Sequence, residues 1–309
     1  MGLPLHTMFA NINSSRVRYI APQDDSFIEE QIIIMSPYVA GFSFTPPRWG
    51  CFSVAALQTY YPDENAFDKV VLAQSVKEII KGLVKEHKRS EGEQFQDLIR
   101  GKGQGTAILL AGETGCGKTL TVETLAMHVR RPLYSISAGE LGIKPSDLET
   151  KLREVFDNAS TWGAVLLIDE ADFLLTERTS DDLGRSSLVS VFLRSMEYYR
   201  GVLILTTNRS DHLDPSIRSR IHFVHKFNPL DIKARKQIFE LYISKYGGTA
   251  KEADLDTWSR YSFNGREVSY RLRLRRFTPH TIRSEIRSGW PHSRQTSTVN
   301  LYRGIISTQ

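Results

Sequence analysis

The stretch GETGCGKT, residues 112–119, holds the residue types and spacing most able to do chemistry. Gly112, Gly115 and Gly117 let successive backbone N–H groups turn inward, with Glu113, Thr114 and Cys116 completing the loop. Such a concave run of donors suits phosphate oxygens, and a helix starting at its end points its positive pole at the same place. Lys118 is spaced to reach β- and γ-phosphates, and the Thr119 hydroxyl to ligate Mg²⁺. The apolar run TAILLAG before the loop and the helical pattern after it supply the strand–loop–helix context that this spacing needs.

Two further strand ends carry polar groups. VLLIDEAD (165–172) is an apolar run closing on carboxylates: Asp169 is expected to hold Mg²⁺ through water, and Glu170 to polarise an attacking water as general base. LILTTNR (203–209) ends on Asn208, which is expected to orient that water against the γ-phosphate. Beyond it, LDPSIRSRIH (213–222) supplies Arg218 and Arg220, either of which could act as an arginine finger on a neighbouring subunit's nucleotide.

The elements that must position these groups follow from periodicity. Apolar runs alternate with helical patterns from TAILLAG through IHFVHKFN, which implies a parallel sheet covered by helices on both faces. Upstream, SVKEIIKGLVKEHKRSEG predicts a helix with Val76, Ile79, Ile80, Leu83 and Val84 on one face. Residues 1–61 mix short apolar runs (IIIM, YVAGFSF) with turn signals, as a few β-strands do. From Asp231 the pattern is purely helical.

The chain of 309 residues is 40% hydrophobic and 24% charged, ordinary for a globular protein. The longest apolar runs fall far short of the roughly 18 residues of a membrane span. Two cysteines, Cys51 and Cys116, form no disulfide framework or metal-ligand spacing, so an intracellular, by default cytoplasmic, setting is expected. The net charge of +5 misleads: residues 268–309 hold eight Arg, no Lys and one acid, which leaves the preceding 267 residues at −2. Nothing in that body points to nucleic acid.

The order of GETGCGKT, LLIDEAD, TTN and DPSIRSRI, followed by a helical segment, resembles the AAA+ ATPases from about Asn65 to Glu267. In finer grain it resembles a branch common in filamentous fungi, where a phrase like YVAGFSFTPPRWGCFSV precedes the ATPase core. The resemblance implies an α/β P-loop NTPase core with a five-stranded parallel sheet and a helical lid. It also implies ATP and Mg²⁺ as ligands, and nucleotide sandwiched between the subunits of a homo-oligomeric ring, usually a hexamer. It makes Gly112–Thr119 the Walker A loop, Asp169 and Glu170 the Walker B pair, and Asn208 sensor 1. Arg220 is then the arginine finger, with Arg218 second. Arg266, in NGRE at the start of a lid helix, matches a sensor 2 arginine, and Asn65–Val71 the segment flanking adenine. The expected organisation is a β-rich remnant (1–61), the nucleotide-binding core (62–230), a partial helical lid (231–267) and an aberrant or disordered basic tail (268–309).

Two departures shape the functional expectation. Members that thread proteins carry an aromatic–apolar–Gly pore loop after the second strand, whereas the matching place here reads ELGIKPSD. The second departure is the lid, which normally continues past sensor 2. Here VSYRLRLRRF follows Glu267, Val268-Ser269 can be encoded by a consensus intron start, and the later residues lack a sustained period. Residues 268–309 are therefore expected to be translated intron or shifted frame, and the chain a shortened member. The filled chemical positions favour an ATPase that remodels an unknown protein or complex. The alternatives are a nucleotide-binding assembly module with weak or no hydrolysis because its lid is truncated, and a nucleic-acid-binding ATPase using the arginine tail.

Overall fold

The computed structural model describes residues 37–58, 60, 62–90, 105–176, 183–209, 213–245 and 250–273. The IIIM run and residues 274–309 lie outside the described residues. The chain divides into two compact units, Met1–Asn228 and Pro229–Gln309.

The described part of the first unit begins with an antiparallel hairpin of β1 (Tyr38–Phe44) and β2 (Pro47–Ser53), paired from Tyr38↔Ser53 to Phe44↔Pro47. Strand alternation puts Phe42, Phe44 and Trp49 on one face, and that face packs on Tyr134 and Trp162. The Phe42 ring centroid lies 4.6 Å from that of Trp162 and 5.4 Å from that of Tyr134. Aromatic pairs of this kind contribute about 0.5–1.5 kcal/mol each beyond the area they bury.

Helix α1 (Gln74–Ser90) follows, then β3 (Thr106–Gly112), α2 (Lys118–His128), β4 (Leu133–Ser137), α3 (Pro145–Thr161), β5 (Val165–Asp169), the short α4 (Asp172–Leu175), α5 (Leu183–Tyr198), β6 (Val202–Thr207), the short α6 (Pro215–Arg218) and β7 (Phe223–Phe227). The five strands β3–β7 form one parallel sheet in the order β4-β5-β6-β3-β7. Its central strands are buried on both faces, which is why they read as unbroken apolar runs rather than alternating ones. Leu109, Leu166, Ile168, Leu203 and Leu205 face a core with α3 and α5, built around Leu152, Phe156, Val189 and Phe192. Ile108, Leu110, Val165, Leu167 and Ile204 face the other side, against Ile80, Val84, Val122 and Leu125 of α1 and α2.

The stripe of α1 keeps four of its five expected positions, with Val76 and Leu83 packed, partly buried, against the same core as Ile80 and Val84. Ile80 and Val84 are buried, but Ile79 is 45% exposed, and the buried positions beside them are Lys77 and His87. The spacing 77, 80, 84, 87 is a helical face whose centre is turned by about 50°, half a residue step, from that of the five apolar positions. Lys77 is tolerated on it because its Nζ donates to the Asp68 carbonyl at 2.7 Å.

The second unit contains α7 (Ile232–Lys245), α8 (Glu252–Ser259) and α9 (Gly265–Arg273). Its core is Phe239, Leu255, Trp258 and Val268. Helix α9 starts on a reciprocal cap: the Glu267 N–H donates to Asn264 Oδ1 at 2.8 Å, and the Asn264 N–H donates to Glu267 Oε2 at 3.0 Å. The first six residues of the expected tail, 268–273, continue this helix, and Val268 is only 1% exposed.

Candidate active site

The register of the sheet brings the three sequence motifs to one edge. Ala111 pairs with Thr207 and Ile168 with Leu205, so the chain leaves β3, β5 and β6 side by side at their C-terminal ends. The 113–117 loop, the turn at 169–172 and Asn208 all emerge there.

The loop's backbone explains its glycines. Gly112 has φ +147° and lies so close to β7 that a Cβ would meet the Phe227 carbonyl oxygen at 2.7 Å. Gly117, the residue before α2, has φ +103°, while a Cβ there would meet nothing within 4 Å; its requirement is conformational alone. The space that Gly117 leaves open is where a phosphate can approach the backbone.

Lys118 is only 7% exposed. Its ammonium donates to the carbonyls of Gly112 (2.7 Å) and Glu113 (2.8 Å) and to Asn208 Oδ1 (3.0 Å). Thr114 Oγ1 also donates to Asn208 Oδ1, at 3.5 Å. A buried ammonium held by neutral oxygens, with no carboxylate among the described residues bonded to it, is suited to an incoming anion. The Thr119 hydroxyl donates to Asp169 Oδ2 at 3.0 Å. Thr119 and Asp169 are therefore a hydroxyl and a carboxylate already facing each other, a donor set that fits Mg²⁺ sharing its remaining positions with water and phosphate. Among the described residues no three His, Cys, Asp or Glu side chains converge to hold a metal by themselves.

Glu170 has φ +55°, one of two non-glycine residues among those described in the left-handed region. That conformation costs on the order of 1–3 kcal/mol and persists only where neighbours over-determine it. The neighbours come from β6. Thr206 bonds to Asp169, Glu170 and Ala171, and the Thr207 hydroxyl donates to Asp172 Oδ1. The Asn208 N–H also donates to Asp172 Oδ1, at 2.8 Å, which ties the backbone of Asn208 to the 169–172 turn. Both threonines are 1% exposed. Sequence reasoning passed over Thr206, Thr207 and Asp172; the available signal was a pair of hydroxyls closing an otherwise apolar strand and a further carboxylate after the acidic pair.

The model of the ATPase family associated with various cellular activities (AAA) matches residues 108–229, the stretch that contains all of these strand ends. This segment is an AAA domain. ATPase family AAA domain-containing protein 3-A of Xenopus laevis is 28% identical over 193 residues, which is 60% of this chain and 31% of that protein. An uncharacterized AAA family ATPase of Sinorhizobium fredii is 31% identical over 175 residues, 54% of this chain and 51% of that one. The chain thus spans from about a third to a half of the length of these relatives. A chain in the structure of the E. coli MS115-1 HORMA:CdnC:Trip13 complex shares the fold, with a TM-score of 0.53 at 17% identity over 76% of this chain and 88% of that one.

The two arginines expected as fingers stand elsewhere. Arg220 lines a cavity of about 460 Å³ with Thr106, Ala107, Leu203 and His222, at the N-terminal ends of β3 and β6. That is the end of β3 opposite the phosphate loop, about 20 Å away at the rise of a strand. Arg220 Nη1 donates to the Ser216 carbonyl at 2.9 Å. Arg218 is exposed on α6, whose start is capped by the buried Asp214 accepting from the Ser216 N–H at 2.8 Å. Neither arginine joins Lys118, Asp169, Glu170 and Asn208 within the protomer. Arg266 is exposed in the first turn of α9, in the second unit.

Phe67 of the 65–71 segment is fully buried, under Lys81 Nζ at 5.2 Å from its ring centroid. The neighbouring Glu64 accepts from Arg130 and, through its carbonyl, contacts His128 Nδ1 at 2.7 Å, which anchors the start of the segment to the C-terminal end of α2. In ELGIKPSD, Gly142 takes φ +94° between a short turn and α3, and Ile143 beside it is 81% exposed.

Proposed function

We propose that this chain binds Mg-ATP and hydrolyses it, coupling turnover to the remodelling of a protein or complex within a homo-oligomeric ring. The observation that carries this reading is the convergence of Lys118, Thr119, Asp169, Glu170 and Asn208 at the C-terminal edge of β3, β5 and β6. In this reading the 112–117 amides and Lys118 hold the β- and γ-phosphates. Thr119 and Asp169 hold Mg²⁺, which neutralises phosphate charge. Asn208 leaves Lys118 and turns to the attacking water, and Glu170 takes the proton that this water loses. Arg220, about 20 Å from its own loop, serves the site of an adjacent subunit. Arg266 contacts nucleotide from the lid, with Arg218 as the alternative finger.

Nucleotide binding and phosphate release, measured on the same preparation, test the reading. ATP binding weakened by Lys118→Ala, together with turnover sharply lowered by Glu170→Gln at retained affinity, is the expected pair of results. Binding with no turnover in the wild type would leave a nucleotide-gated assembly module. Absence of binding would end the proposal.

A further inference from the structure

We propose that Thr206 is the positioning residue that fixes the Asp169 carboxylate and the backbone from which Glu170 projects, an assignment that rests on the reading of those two as the metal-holding and water-activating groups. Thr206 lies inside the sheet, in the central strand β6, paired with Leu110 of β3 and 1% exposed. A hydroxyl in such a place is costly unless its hydrogen bonds are made. Here they are made, and all of those described go to the 169–171 turn. The Thr206 hydroxyl donates to Asp169 Oδ1 and accepts from the Glu170 N–H at 3.0 Å. Its carbonyl accepts from the Ala171 N–H at 2.9 Å.

Three consecutive residues are thus pinned to one threonine, and the middle one, Glu170, holds the left-handed φ of +55°. The bonding also partitions the Asp169 carboxylate. Oδ1 is taken by Thr206 and Oδ2 by Thr119, so the side chain is fixed from both sides before any ligand arrives. A hydroxyl is the one small group that donates and accepts at once, which this double contact demands. Valine has the same shape and can do neither; serine lacks the methyl group but can do both.

That contrast separates positioning from packing. Positioning predicts that Thr206→Val fails and Thr206→Ser works; packing predicts the reverse, because valine fills the site and serine leaves a gap. On the full chain without nucleotide, hydrogen–deuterium exchange of the 165–176 region should speed up in Thr206→Val and stay near wild type in Thr206→Ser, although the valine variant melts no lower than the serine variant. In steady-state ATP turnover, Thr206→Val should lose about 10- to 100-fold in kcat with KM little changed, as for a misplaced reacting group. It should also need more Mg²⁺ for half-maximal rate. Thr206→Ser should recover most of the loss. Wild-type-like exchange in Thr206→Val, or exchange and kcat that follow melting temperature in both variants, would overturn the assignment. Should the wild type itself not turn over ATP, the ATPase reading fails, and the exchange comparison still decides whether Thr206 holds the turn.

Discussion

At the residue scale, Lys118 and Glu170 do different things, and their variants should separate. The Lys118 ammonium is buried against neutral oxygens. Hydrogen bonds to a charged group contribute about 1.5–3 kcal/mol each. Lys118→Ala should therefore weaken ATP binding by at least about 10- to 100-fold, which titration calorimetry would read. Unchanged affinity would count against the phosphate-loop assignment. Glu170→Gln keeps the shape of the side chain and its backbone bond to Thr206 but cannot take a proton. ATP affinity should hold while turnover falls by about 10²- to 10⁴-fold; phosphate release near the wild-type rate would place the base elsewhere.

At the scale of elements, helix α9 and strand β7 each carry a consequence. The start of α9 depends on the reciprocal Asn264–Glu267 cap. Asn264→Ala removes the acceptor of the Glu267 N–H, while the main-chain N–H of residue 264 can still donate to the Glu267 carboxylate, so the 250–273 segment should lose about 1 kcal/mol. Faster amide exchange over 264–273 would show it, and an unaltered exchange pattern would mean that burial of Val268 alone holds the helix. On β7, His225 sits with its ring centroid 4.7 Å from that of Phe227, and burial lowers its pKa below the ordinary histidine value. The folded state therefore binds a proton less readily than the unfolded chain. This contribution is intact above a pH of about 6.5 and is lost as pH falls below it. Melting temperature should drop between neutral pH and pH 5 by more in the wild type than in His225→Gln; equal slopes would remove His225 from the account.

At the scale of the whole molecule, the position of Arg220 decides how many chains make one site. It stands at the opposite end of β3 from the loop its role would serve. If it is a finger, it acts on another chain, and fingers contribute about 10³- to 10⁵-fold to turnover. Arg220→Ala should then lose turnover at unchanged ATP affinity. Mixing it with Lys118→Ala chains, each inactive alone, should restore activity, because the Lys118→Ala chain still offers Arg220 to its neighbour. No recovery in assemblies verified to be mixed would assign Arg220 to a role within one subunit.

The placement of the motif residues at strand ends was legible in the sequence because each motif is a contiguous run. Gly112–Thr119, Asp169-Glu170 and Asn208 each depend on one strand ending and the next few residues, and alternating apolar and helical patterns suffice to place strand ends in a parallel α/β sheet. Tertiary structure alone decided what holds those residues. Thr206 reaches Glu170 across 36 positions of chain, and Lys118 reaches Asn208 across 90; both contacts follow from the strand order β4-β5-β6-β3-β7, which no local pattern encodes. The same is true of the face of α1, where Lys77 and His87 are buried and Ile79 is not. About half a residue step, roughly 50°, separates the two faces, and only the partner surface selects between them. It is true again of Val268, which as sequence begins an arginine-rich stretch and in the fold completes the core made by Phe239, Leu255 and Trp258. A side chain's burial is set by what packs against it, and that is a property of elements distant in the chain.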